Sequence, residues 1–172
     1  MNGGRVDTGR VANRRAVRLR SLDDLLAEAG RITAAAASGK VRPLGNWSPA
    51  QVLWHIAKLI ELSFDGFSWR YRHGPVWITR LIRFLSWRWL IWLAFRPGFR
   101  NPPDAAVLEP DAAVTFDAAA AYLRAQIGRV GKGERMTQCA SVEGAYSHEQ
   151  WVYIHLRHAE LHLSFLALEG EG

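Results

Sequence analysis

Six histidines and one cysteine are the soft ligands and nucleophiles of this 172-residue chain. A single cysteine, Cys139, can make neither an internal disulfide nor a thiolate zinc cluster. It falls on a predicted loop with no base evident beside it, so histidine carries the chemistry. Three of the six crowd into one stretch, His155-Leu156-Arg157-His158-Ala159-Glu160-Leu161-His162. On a helix, residues four apart stand one turn apart on one face, about 6 Å along the axis, so two such imidazoles can converge on one ion. His155 lies on the same stripe one turn earlier, but roughly 10 Å of rise separates it from His162. The converging pair is therefore either His155/His158 or His158/His162. The neighbours Ile154, Leu161 and Phe165 make the surroundings apolar, where unpaired imidazoles are costly. His55, in Trp54-His55-Ile56-Ala57, is a further histidine on an apolar stretch. Alone it would read as a core residue; with a converging pair elsewhere it becomes the natural third ligand.

Three neutral imidazoles suit zinc, nickel or iron(II). Three protein ligands leave at least one coordination position open, the arrangement of catalytic rather than structural sites. The ring N–H groups left over need acceptors, and Glu61, Asp65 and Glu160 lie on the right helices, Glu160 being the poorest because it points away from its neighbour His158. Trp54, Trp151 and Tyr153 are candidate pocket walls, although core packing explains aromatic residues equally well. Ser48 and Ser147 are accounted for as helix caps. There is no glycine-rich phosphate loop, no G-x-S-x-G and no H-E-x-x-H.

The elements that must position these residues are helical. A first helix is predicted from Ser21 to about Ala36, capped by Ser21, with Asp23 and Asp24 at the positive end of its dipole and Leu22, Leu25, Leu26 and Ile32 as its apolar stripe. A second opens on the capping box Ser48-Pro49-Ala50-Gln51 and keeps helical spacing to about Trp69. Another starts near Thr115 or Asp117 and is ended by Gly128, Gly131 and Gly133. The last opens on the box Ser147-His148-Glu149-Gln150 and continues to about Leu168. No stretch alternates well enough to read as a strand.

Val76 to Phe95 carries fifteen apolar residues in twenty. Arg80, Arg83 and Arg88 argue against a membrane span, since a central arginine costs roughly 2.5–3.5 kcal/mol to insert. Ile78, Leu81, Ile82, Leu85, Trp89, Trp92 and Leu93 fall on one arc of about 120°. The segment is thus an amphipathic helix expected to dock on the core, with peripheral membrane contact and a homodimer contact as the alternatives.

The net charge of +6 is unevenly placed. Residues 1–20 hold six arginines and one aspartate, residues 70–100 seven arginines and no acid, and the remainder carries a net charge of −6. An acidic body argues against nucleic-acid binding by a general basic face. The first twenty residues lack the apolar run of a targeting signal, so they are expected to form a solvated basic tail, flexible or extended, and the address is expected to be cytoplasmic.

Two of these segments together resemble the DinB/YfiT-like superfamily of metalloenzymes. Trp47-Ser48, followed after six residues by His55-Ile56-Ala57, is similar to its W-S-x6-H segment, and His158 and His162 to its last-helix H-x-x-x-H element. The resemblance covers about residues 15–170 and comes nearest to a subgroup of unknown function with a long insert between the second and third helices. It implies an all-α fold: one four-helix bundle over residues 21–172, with an amphipathic helical insert at about 70–110. It implies a divalent metal held by His55, His158 and His162, frequent dimers, and enzymes that act as transferases or isomerases with low-molecular-weight thiols. The corresponding expectation here is a metal-dependent thiol S-transferase or hydrolase acting on a small molecule; the alternative is a non-catalytic metal-binding bundle with a structural, sensing or association role. His155 departs from the pattern as an extra histidine, either an alternative ligand or a support for one.

Overall fold

The computed structural model describes residues 5–69, 75–98, 103–139 and 145–169. It is mostly helical, in keeping with the all-α expectation. The helices are α1 (Leu22–Ala37), α2 (Pro49–Asp65), α3 (Val76–Ala94), α4 (Phe116–Gly131) and α5 (His148–Leu163). Ser21, Ser48, Thr115 and Ser147 each accept a hydrogen bond from the first turn of the helix they precede, and at Ser21, Ser48 and Ser147 the reciprocal bond completes a capping box. Those caps set where α2 and α5 begin, and so the height at which their histidines stand.

α2 is the central element, packed most closely on α4 and next on α5, while α1 leans on all three. Leu25 and Ile32 of α1, Leu53, Ile56 and Ile60 of α2, Leu123 of α4 and Leu163 of α5 are fully buried between them. Fully burying a Leu or Ile side chain is worth roughly 1.5–3 kcal/mol, so this shared core outweighs any single polar contact in the fold.

Two helix ends fall earlier than their apolar patterns suggest. α2 stops at Asp65 because Gly66 takes φ +113°, a conformation that L side chains rarely adopt. α5 stops at Leu163, and Leu166–Leu168 (β2) pairs antiparallel with Val41–Pro43 (β1), Val41 opposite Leu168 and Pro43 opposite Leu166. Three residues are too few for alternation to show in the sequence, so this small sheet is a correction to the strandless reading.

The basic segment before α1 is a second correction. Among its described residues Val17 and Leu19 are buried. The Arg15 amide donates to the Ser164 carbonyl at 3.1 Å, the Leu19 amide donates to Glu160 Oε1 at 2.7 Å, and the Arg15 guanidinium pairs with Glu28. The end of this segment is therefore docked along α1 and α5 rather than solvated.

α3 is the third. Its inward side is Trp87, Ile91 and Phe95, with Trp87 meeting Tyr153 of α5 edge-on at 5.1 Å. Leu81, Trp89 and Trp92, members of the arc expected to dock, are exposed. Ile78 is half-buried, and the side chains of Ile82, Leu85 and Leu93 lie outside those described. The arc holds the most apolar residues, but the ring contacts of α3 with α5 among the described residues lie towards its C-terminal end, where the spacing 87, 91, 95 faces α5. Among the described residues no helix is long and apolar enough to cross a membrane.

Removing the cap of α2 by Ser48→Ala should cost about 1 kcal/mol and lower the melting temperature by roughly 2–4 °C for a chain of this size, as read by thermal circular dichroism. A change within error would mean that packing alone fixes the start of α2.

Candidate metal centre

His55 sits in the second turn of α2, on the side that faces α5, and is 2% exposed. His158 and His162 project from successive turns of α5. His158 is buried and His162 half-buried. Their ring centroids form a near-equilateral triangle: 4.9 Å from His55 to His158, 4.5 Å from His55 to His162 and 4.5 Å from His158 to His162. One potential ligand atom from each lies within 4.8 Å of the other two, so the three form a group that could hold a metal ion.

The hydrogen bonds fix part of the proton placement. The Leu108 carbonyl, 2.7 Å from His55 Nδ1, can only accept, so Nδ1 carries the proton and His55 Nε2 presents its lone pair. His158 Nε2 donates to that lone pair at 3.1 Å. Two ligand nitrogens on a tetrahedral ion with bonds near 2.1 Å stand about 3.3–3.4 Å apart, so the His55–His158 separation already fits a shared cation. His158 Nδ1 is buried with no hydrogen-bond partner among the described residues. The donor set is all imidazole, as zinc, nickel and iron(II) prefer.

The choice left open within α5 falls to His158 and His162. His155 is fully buried, stacks on Trp151 at 5.3 Å between centroids, and lies 3.0 Å from Ser63 Oγ through Nε2. That hydroxyl spends its only proton on the Ile60 carbonyl at 2.6 Å, so His155 Nε2 must be the donor. The ring belongs to the α2–α5 packing and stands outside the three-histidine group.

None of the carboxylates singled out from the sequence takes a ring N–H of the group. Glu61 pairs with Lys58, Asp65 with Arg129 at 2.7 Å, and Glu160 with the Leu19 amide and Arg157. The acceptor is instead the Leu108 main chain, in the 3-10 turn Pro103–Leu108 that packs on α2. A backbone carbonyl leaves no mark in a sequence, which is why it was missed. The aromatic walls also differ. Trp47 lies 4.5 Å from His55 and stacks on His162 at 5.4 Å, and Phe95 approaches His158 at 5.3 Å. Trp54 faces Tyr122, Trp151 covers His155, and Tyr153 meets Trp87. Trp47 had a visible signal, since it immediately precedes the Ser48 cap; Phe95 had only its place at the end of α3.

Burial dominates the electrostatics. Desolvation lowers the His55 pKa to about 4, against a smaller upward pull from the Leu108 carbonyl. His158 and His162 are held well below 6.5 by burial first and then by the neighbouring imidazoles. All three rings are therefore neutral at pH 7, as ligands must be.

His155 is lowered to about 3, by burial and then by the nearby charge of His148. Its folded pKa is below its unfolded one, so the unfolded chain takes up a proton that the native state refuses. Its contribution to stability is complete above about pH 6.5 and is lost as the pH falls from there towards 3. His155→Gln, which keeps a donor for Ser63, should remove about one proton from the pH dependence of unfolding between pH 6 and 4. Urea unfolding at each pH measures it, and parallel wild-type and variant profiles would contradict the assignment.

No curated protein and no solved structure matches the chain. A family model described as a protein of unknown function (DUF1569) matches residues 11–169. Since that span takes in all three capping boxes, α3 and the three converging histidines, the chain belongs to the DUF1569 family.

Proposed function

We propose that this chain is a divalent-metal-dependent enzyme of the DinB/YfiT-like type. In this reading α1, α2, α4 and α5 are its four-helix bundle, α3 and the segments around it are the insert, and His55, His158 and His162 are the metal ligands. The supporting observation is the convergence of three neutral imidazoles from two separate helices to within 4.8 Å. Such a cluster is expensive in apolar surroundings unless its lone pairs have a use.

A divalent ion held there would supply a Lewis-acidic position for a water, a thiolate or a carbonyl. The chain's own residues define the rest. The Leu108 carbonyl orients the His55 ring and holds its Nδ1 proton. Trp47 and Phe95 wall the group and limit water around it. His162 is half-buried where His55 and His158 are buried, so its side is the one we assign to the approach of a small molecule. Among the described residues, no acid–base residue other than histidine belongs to the group. That favours a reaction in which deprotonation of a low-molecular-weight thiol by coordination does most of the work, so S-transfer to a small electrophile is the reaction class we assign.

Titration of zinc or nickel into metal-free protein should give one site. His55→Ala, His158→Ala and His162→Ala should each weaken it at least 100-fold, and His155→Gln less than tenfold. Metal-loaded wild type should consume a thiol in the presence of an electrophile, and His158→Ala should not. One site without thiol turnover would point to the non-catalytic bundle; no site at all would refute both readings.

A further inference from the structure

We propose that the N-terminal part of α3, from Trp77 to Phe84, rests on the surface of an anionic lipid bilayer. Trp77, Leu81 and Phe84 are 71%, 51% and 86% exposed. They share one helical stripe, which continues through Arg88 to Ile91 and Phe95. At the C-terminal end that stripe is covered by the body: Ile91 is buried and Phe95 touches His158. Towards the N-terminal end the same stripe is left bare, and Trp92 adds a further exposed ring beside it, 57% accessible. Large apolar side chains in a row along one helix mark an interaction surface.

Charge identifies the occupant. The sequence holds no acidic residue between Asp65 and Asp104. On α3 Arg80 and Arg88 are exposed, as is Arg96 just beyond it, whose guanidinium lies over the Trp92 ring at 4.2 Å. Tryptophan beside arginine, on a helix unable to span the bilayer, is the composition of an interfacial helix: the rings enter at headgroup depth and the guanidinium groups meet lipid phosphates and carboxylates. A second copy of the chain fits poorly. A twofold contact presents the same patch to itself, which would set arginines against arginines with no acid between them. The inference does not depend on the metal reading, because none of these exposed side chains belongs to the histidine group.

The test is sedimentation of the full chain with vesicles of phosphatidylcholine alone or with added phosphatidylserine. Binding should require phosphatidylserine and weaken as salt is raised. Trp77→Ser combined with Phe84→Ser should reduce partitioning at least tenfold, and Arg80→Glu should reduce it severalfold, with melting temperature and metal titration unchanged. If the double variant melts lower than wild type, Phe84→Ser alone provides the comparison, its side chain being nearly free of the body. Failure of the wild type to bind anionic vesicles would overturn the proposal. So would equal binding by the variants, or a dimer in sedimentation velocity that the same substitutions dissolve without any vesicle binding.

Discussion

The cost of taking imidazoles out of water shapes the centre of this protein. Four histidines lie in the seam between α2 and α5, and burial keeps them neutral. Neutral imidazole still has one donor and one acceptor, and each needs a partner once water is excluded. Fixed oxygens satisfy the donors of two rings, the Leu108 carbonyl for His55 and the Ser63 hydroxyl for His155. Of the other two, His158 meets the His55 ring nitrogen, and both otherwise face imidazole and aromatic rings. The apolar core of α1, α2, α4 and α5 must therefore supply the free energy that holds this arrangement, and the capping boxes at Ser48 and Ser147 must hold its register.

That division explains what could be read from the sequence. Caps and helical spacing are local signals, so α1, α2, α4 and α5 begin where Ser21, Ser48, Thr115 and Ser147 place them. The four-residue interval between His158 and His162 fixes a face, and His55 was the one remaining histidine on a well-patterned apolar helix. Spacing alone left open whether His155 or His162 joined His158, and only the family resemblance favoured His162. The two intervals are nearly equivalent on a helix, and the choice depends on Ser63 lying opposite His155, a long-range fact. The acceptor of the His55 proton was invisible for the same reason: any residue could have stood at Leu108.

The docked arginines show a different limit. Charge density suggested solvent, yet Val17 and Leu19, which alternate with arginines, are buried, and the preceding Arg14 and Arg15 find partners on α1 and just past the end of α5. Arg15 reaches Glu28 and the Leu166 carbonyl, and Arg14 lies over the Phe165 ring at 5.0 Å. A short alternation of this kind cannot be told from a solvated tail until its partner surface is known.

α3 and the 3-10 turn after it are tied to the histidines at two points, and this limits what they can be. One flank delivers the Leu108 carbonyl to His55, and the end of α3 delivers Phe95 to His158. A surface ornament would touch neither. The two contacts also act on different rings. Leu108 fixes where the His55 proton sits, whatever else occupies the seam. His158 has no such anchor: its Nε2 proton rests on His55, and its Nδ1 has no partner among the described residues. His158 is thus the ring of the two whose proton placement is less firmly fixed, and Phe95 packs beside it at 5.3 Å. Any displacement of α3 would reach the centre through that contact.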